Sequence, residues 1–178
     1  MSVAQKIKQK LAALRFKRQG VNFEAGARFD RSVDVQNAQN ATIGKASILY
    51  KNISLYIGAK GSFQIGAHSH IAPFGYLLID KNNITMGDHV AIGPFCTFVC
   101  HSNHFEGDNE MFSKNYLDGD ITIGNNVFMG AQCTVLPGTI IENNVVVASN
   151  SVVKGILESN SLYGGSPAKK IKSLKNGE

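Results

Sequence analysis

The sequence predicts an all-β solenoid, a parallel β-helix built from short strands and corners. An aliphatic residue recurs at every sixth position along much of the 178-residue chain. A small or β-branched residue tends to follow it four positions later. There are 18 glycines against 4 prolines, and no tryptophan. Glycine at this frequency implies many sharp backbone corners. A fixed short period is the mark of a repeat architecture.

The N-terminal segment departs from the period. Residues 2–19 read as a helix with Val3, Ile7, Leu11 and Leu14 in one stripe at helical spacing, ended by Gly20. Lysines and arginines cover the rest. Such a helix is expected to cap the first coil, which would otherwise expose an open sheet edge. A basic amphipathic helix could also rest on an anionic membrane surface.

The first half of the repeat carries slips. Ile43-Gly44, Ile57-Gly58, Ile65-Gly66, Ile71-Ala72, Met86-Gly87 and Ile92-Gly93 open hexads, with Ser47, Ser69, Val90 and Cys96 at the matching small positions. Short insertions near 50–56 and 78–85 break the frame. From Ile123 the hexads run on: IGNNVF, MGAQCT, VLPGTI, IENNVV, VASNSV, VKGILE. Here the aliphatic positions are Ile123, Met129, Val135, Ile141, Val147 and Val153, and the small ones are Val127, Cys133, Thr139, Val145 and Ser151.

Six residues make one short strand and a corner, roughly 20 Å of extended chain. Three such sides close a triangle. The aliphatic side chain points inward and stacks between coils, and the small residue fits near the corner. Asn125, Asn126, Asn143 and Asn144 supply corner positions that tolerate left-handed backbone. A sandwich of many short strands is the competing architecture; the run of sixes disfavours it.

Between Phe98 and Ile121 a polar stretch, VCHSNHFEGDNEMFSKNYLDGD, does not fit the frame. A long loop in a compact domain usually has a function.

Charge and cysteine content narrow the functional classes. The formal charge is +5, from 18 basic and 13 acidic residues. Much of the excess sits at the ends, in Lys6, Lys8, Lys10, Arg15, Lys17 and Arg18 and in Lys169, Lys170, Lys172 and Lys175. No nucleic-acid motif accompanies it, so no nucleic-acid partner is expected. Cys96, Cys100 and Cys133 are odd in number and fit neither a disulfide nor a zinc framework. A reducing cytoplasm is the expected compartment. No apolar h-region follows the basic N-terminus, so no signal peptide is expected, and no apolar run reaches the length of a membrane span.

The pattern of an aliphatic residue, a Gly, Ala or acidic residue, two free positions, a small residue and one more resembles the hexapeptide-repeat acyltransferases over nearly the whole chain after about residue 22. The resemblance implies a left-handed coil, against the general right-handed rule for parallel crossovers. It also implies a homotrimer whose active sites lie between neighbouring β-helices, with the long loop walling a neighbour's site. The segment YGGSPAKKIKSL is similar to a G-x-P-A-(K/R)-x-I ending that forms a short helix in the family, and Pro167 suits its start. The resulting division is a helical cap over 1–21, a β-helix over 22–162 with loop 99–120, and a C-terminal helix and tail over 163–178.

The family resemblance, closest to the galactoside, maltose and polysaccharide O-acetyltransferases, implies acetyl transfer from acetyl-coenzyme A to a sugar hydroxyl. That chemistry needs a base for the hydroxyl proton, and histidine suits it. His68, His70 and His89 lie inside regular hexads, where outward side chains are commonly just solvated. His101 and His104 open the long loop after IGPFCTFVC. The stretch FVCHSNH is most similar to an F-(V/I)-T-H-D segment, which selects His101; alignment onto enzymes reading SNH selects His104. Glu106 or a backbone carbonyl is expected to orient the ring, and Glu106 is also expected to contact the acceptor.

By position, Gly130, Ala131, Ser149 and Asn150 would line the pantetheine arm, and Lys154, Lys169 and Lys172 would hold phosphates. Phe74 and Tyr76 stand where related enzymes carry an acceptor-binding asparagine, and could stack on a sugar. The acceptor is expected to be a sugar of a surface polysaccharide (capsule, O-antigen or exopolysaccharide) or its nucleotide- or lipid-linked precursor. Three rivals remain. One is N-acetylation of an amino sugar or antibiotic. Another is a γ-type carbonic anhydrase or other metal enzyme, with Cys100, His101 and His104 as candidate ligands, although no metal is expected because the ligand spacing of that group is absent. The last is a non-catalytic β-helix.

Overall fold

The computed structural model describes residues 3–104 and 111–174. After an N-terminal α-helix, α1 (Val3–Arg18), the chain winds into a solenoid with three parallel faces. The first face stacks Asn22–Phe23, Ala41–Ile43, Ser62–Ile65, Asn83–Met86, Ile121–Ile123, Ile140–Ile141 and Ile156–Leu157. The second runs from Arg28–Phe29 through Ile48–Leu49, His70–Ile71, Ala91–Ile92, Phe128–Met129 and Val145–Val147 to Ser161–Gly165. The third stacks Asp34–Gln36, Ser54–Ile57, Tyr76–Asp80, Thr97–Val99, Thr134–Val135 and Val152–Val153. Register is regular, as in Leu77↔Phe98↔Val135↔Val153.

The hexad code sets this packing. The twelve aliphatic positions, from Ile43 to Val153, are all buried, and so are the nine small ones. Full burial of such a side chain contributes about 1.5–3 kcal/mol. Buried hydroxyls at small positions are satisfied between coils. Ser47 donates to the Gly66 carbonyl at 2.6 Å and accepts from the Ser69 amide at 2.9 Å, and Ser69 accepts from the Val90 amide at 2.9 Å.

The corners use asparagine in two ways. Asn126 and Asn144 adopt left-handed backbone, with φ of 53° and 57°, and Asn126 donates to the Asn144 side chain at 2.9 Å. Asn125 and Asn143, also expected to be left-handed, instead accept from the backbone amides of Asp88 and Asn125 at 2.8 and 2.7 Å. At the corner leading into the third face, the left-handed column is Asn52, Phe74, Phe95, Gln132 and Asn150.

Both ends of the solenoid correct the sequence reading. Helix α1 buries Ala12 and Phe16, not the expected stripe; Phe16 packs on Phe29 with ring centroids 4.7 Å apart. Ile7, Leu11 and Leu14 face outward, and the Val3 side chain lies outside the described residues. The larger Phe16 ring, set against Phe29 and Val21, decides which face docks. At the other end the expected short helix is a strand. Ala168–Ser173 folds back antiparallel on Ser161–Gly165. Gly165, at φ 107°, and Pro167 form the turn. This strand covers the edge that the second face would leave open, and its lysines discourage further pairing.

Candidate active site

The interruption of the repeat is zipped at its base. His101–Asn103 pairs antiparallel with Tyr116–Asp118, placing His101 opposite Asp118. The Gly119 amide donates to the Cys100 carbonyl at 2.9 Å. Alternation along the strand leaving Thr97–Val99 turns Cys100 inward and His101 outward. Cys100 is buried, and burial pushes its thiol up to about 12. It is therefore not gathered with His101 and His104 as a ligand set.

His101 meets Asp118 through Nδ1, 2.8 Å from Oδ1. The other Asp118 oxygen holds Lys81 Nζ at 2.8 Å, and Asn82 Nδ2 donates to Oδ1 at 3.2 Å and to the Cys100 carbonyl at 3.1 Å. The Lys81 ammonium, and next the hydrogen bond from His101, hold the Asp118 carboxyl well below the usual carboxylate range. An ionised carboxylate can only accept, so Nδ1 carries the proton and donates it. In the neutral imidazole Nε2 then keeps a lone pair. The Tyr116 ring stacks on the imidazole at 4.7 Å and fixes its plane.

His101 lines a cavity of about 370 Å³ with Gln36, Tyr56, Gly58, Leu78 and Asp80. Among the described residues no hydrogen bond or ion pair engages the Asp80 carboxylate. Asp80, His101 and Asp118 each bring one ligand-capable atom within 4.8 Å of the others. Both Asp118 oxygens are already engaged, and the Lys81 ammonium supplies the positive charge a cation would bring.

Of these residues only His101 is singled out by the sequence; Asp80, Lys81, Asn82 and Asp118 are not. Glu106, expected as an acceptor contact and as one of two candidates to orient the ring, lies outside the described residues. The signal available was the frame break at 78–85. There the strand Tyr76–Asp80 overruns the hexad, Asp80 takes left-handed backbone (φ 51°), and Lys81 and Asn82 swing onto the arm. His104 lies further along, its amide donating to the Asn115 carbonyl at 2.8 Å. Of the other histidines, His68 and His89 stack at a distant corner, and His70 packs edge-on to Tyr50.

The expected acceptor aromatics are separated. Tyr76 packs at 5.4 Å on Tyr56, which lines the cavity, but does not itself line it. Phe74 sits at the opposite corner of the third face, stacked on Phe95 at 4.8 Å, and does not line it. That corner also carries Ala131, partly buried, and Ser149 and Asn150, both exposed. Gly130 is buried. A Cβ there would come within 2.6 Å of the Ser149 amide, so glycine is needed for coil stacking. Lys169 and Lys172 are exposed on the final strand, whereas Lys154 leaves the third face on the His101 side. In one protomer the three lysines are therefore not one cluster.

Coils of hexads closed on three parallel faces define a hexapeptide-repeat chain. Comparison with known proteins agrees: the bacterial transferase hexapeptide family (six repeats) matches residues 120–155. WbbJ of Escherichia coli K12, whose name assigns it provisionally to lipopolysaccharide biosynthesis as an O-acetyl transferase, is 36% identical over 122 residues, covering 64% of this chain and 58% of that protein. Galactoside O-acetyltransferase of the same organism is 32% identical over 123 residues, with the same coverage of 64% and 58%. The chain thus spans 58% of the length of these relatives. AntD, an N-acyltransferase from Bacillus cereus crystallised as a variant with dTDP and coenzyme A, superposes with a TM-score of 0.82 at 24% identity, over 91% of this chain and 89% of that one, and shows the common fold. The resemblance to hexapeptide-repeat acyltransferases is borne out by repeat, fold and relatives.

Proposed function

We propose that the chain transfers an acetyl group from acetyl-coenzyme A to a sugar hydroxyl, with His101 as general base. The observation that carries this is the His101–Asp118 pair at the cavity wall, with Nδ1 committed to Asp118 and Nε2 left to take a proton. The acceptor hydroxyl gives its proton to Nε2 as its oxygen attacks the thioester carbonyl. The C–O bond forms, the C–S bond breaks, and the imidazolium returns the proton to the departing thiolate. Asp118 stabilises the imidazolium and fixes the tautomer, as a buried carboxylate does for a catalytic histidine elsewhere.

The corner proposed for the coenzyme, with Ala131, Ser149 and Asn150, and His101 stand at opposite ends of the third face, roughly 13 Å apart along the strand Tyr76–Asp80. This separation favours a site shared between subunits, and we propose a homotrimer in which that corner of one protomer meets His101 of the next. Lys154, Lys169 and Lys172 would then reach phosphates from different chains. Relatives named for lipopolysaccharide biosynthesis and galactoside acetylation support an acceptor on a surface polysaccharide or its nucleotide- or lipid-linked precursor.

A second reading is N-acylation of an amino sugar. It is favoured by the exposed Asp80 carboxylate beside His101, which would hold an ammonium group, and by the structural likeness to an N-acyltransferase. Release of coenzyme A thiol should be measured against hydroxyl-bearing nucleotide sugars, polysaccharide fragments and amino sugars. Turnover on hydroxyl acceptors is expected. Turnover confined to amino sugars would select the second reading, and none with any acceptor would overturn both.

A further inference from the structure

Helix α1 keeps its apolar stripe for something other than the solenoid. Ala12 and Phe16 dock it on the first coil, at 1% and 0% exposure, whereas Ile7, Leu11 and Leu14 are 54%, 53% and 54% exposed. At about 100° per residue the stripe points roughly opposite to the docked face. Lys8 flanks it on one side and Lys10 and Lys17 on the other, while Arg15 turns to the solenoid and donates to the Arg31 carbonyl at 2.7 Å. Beside it lies a groove of about 290 Å³ lined by Lys10, Ala13, Leu14, Lys17 and Phe23. The helix VAQKIKQKLAALRFKR carries cations throughout and no acidic residue.

We infer that this face docks on a bilayer surface that carries anionic lipids. An apolar stripe bordered on both sides by cations matches an interface whose outer layer is negative and whose interior is apolar. A second copy of the same helix is a poorer occupant, because it would bring cations against cations at close range. The docking by Ala12 and Phe16 holds the stripe outward without needing the helix to leave the solenoid. Membrane docking here is independent of the acyl-transfer reading.

The test is flotation of the full chain with vesicles of phosphatidylcholine alone and of phosphatidylcholine with phosphatidylglycerol. Binding is expected to the anionic vesicles, with weakening at high salt. Partition should fall by about tenfold or more in the triple variant Ile7→Ser, Leu11→Ser, Leu14→Ser, as expected when the apolar stripe is made polar. The variant should melt like the parent, since these side chains are exposed. Absence of binding to either vesicle would overturn the inference. So would equal binding to both, or a change in native mass in the variant, which would make the stripe a subunit contact.

Discussion

Phe98 connects the core to the site, and removing its ring should cost several kcal/mol. It is fully buried, with Leu77 in the coil before and Val135 in the coil after, and its strand leads directly into His101. Phe98→Ala takes away the ring that packs between those two coils. The forfeited transfer energy and the cavity together are expected to destabilise by about 3–5 kcal/mol. For a chain of this length each kcal/mol moves the melting temperature by about 2–4 °C, which gives a drop of roughly 6–20 °C. Ile156→Ala, at an exposed position of the first face, is the control and should stay within about 0.5 kcal/mol. Thermal melts by circular dichroism and urea titration of the same samples would measure both. If Phe98→Ala melts within about 2 °C of the parent, well under the loss expected for a fully buried ring, the tight stacking inferred for the coils is wrong.

Four further outcomes follow from the site. Asp118→Asn should lower kcat by roughly 10²-fold or more with little change in KM for acetyl-coenzyme A, because an amide donating to Nδ1 would place the ring proton on Nε2; unchanged kcat would remove Asp118 from its positioning role. The folded pKa of Asp118 is depressed, so its contribution is present above the unfolded value of about 3.9 and is lost as pH falls through the folded value. The stability difference between parent and Asp118→Asn should accordingly persist at neutrality and shrink only in acid, and a difference that shrinks near neutrality would contradict this. Cys100 should resist alkylation at pH 8 in the folded protein and react in denaturant, since its thiol is buried and titrates at about 12; rapid native labelling mapped to Cys100 would refute its inward placement. Replacing Lys154, Lys169 and Lys172 by alanine should weaken acetyl-coenzyme A binding by about 1.5–3 kcal/mol for each lysine that pairs with a phosphate, and unchanged calorimetric affinity would remove them from the coenzyme site.

The coil was legible because inward packing imposes a local code. Each aliphatic and small position can be read without knowing its neighbours in space, and each proved buried. The ends were less legible, since what covers a terminal coil depends on tertiary choice. The stripe Ile7–Leu11–Leu14 has helical spacing, yet one phenylalanine, Phe16, docks the opposite face. The turn Gly164-Gly165-Ser166-Pro167 served strand reversal, while family likeness suggested a helix. The site was legible only in its irregular half. His101 announced itself at the loop, but its partner Asp118 lies 17 residues on and is brought opposite by hairpin register. Lys81 and Asn82 sat in an insertion that reads as a slip in the repeat and serves as the anchor of the arm.

Transfer of the acceptor's proton to the imidazole held by Asp118 is tested by the paired variants His101→Ala and His104→Ala. Both should be assayed for acetyl transfer to the best acceptor, with coenzyme binding followed separately. His101→Ala is expected to lose about 10²–10⁴ in kcat with coenzyme affinity retained, and His104→Ala much less. Full activity in His101→Ala, or a dead His104→Ala beside it, would contradict that proton transfer.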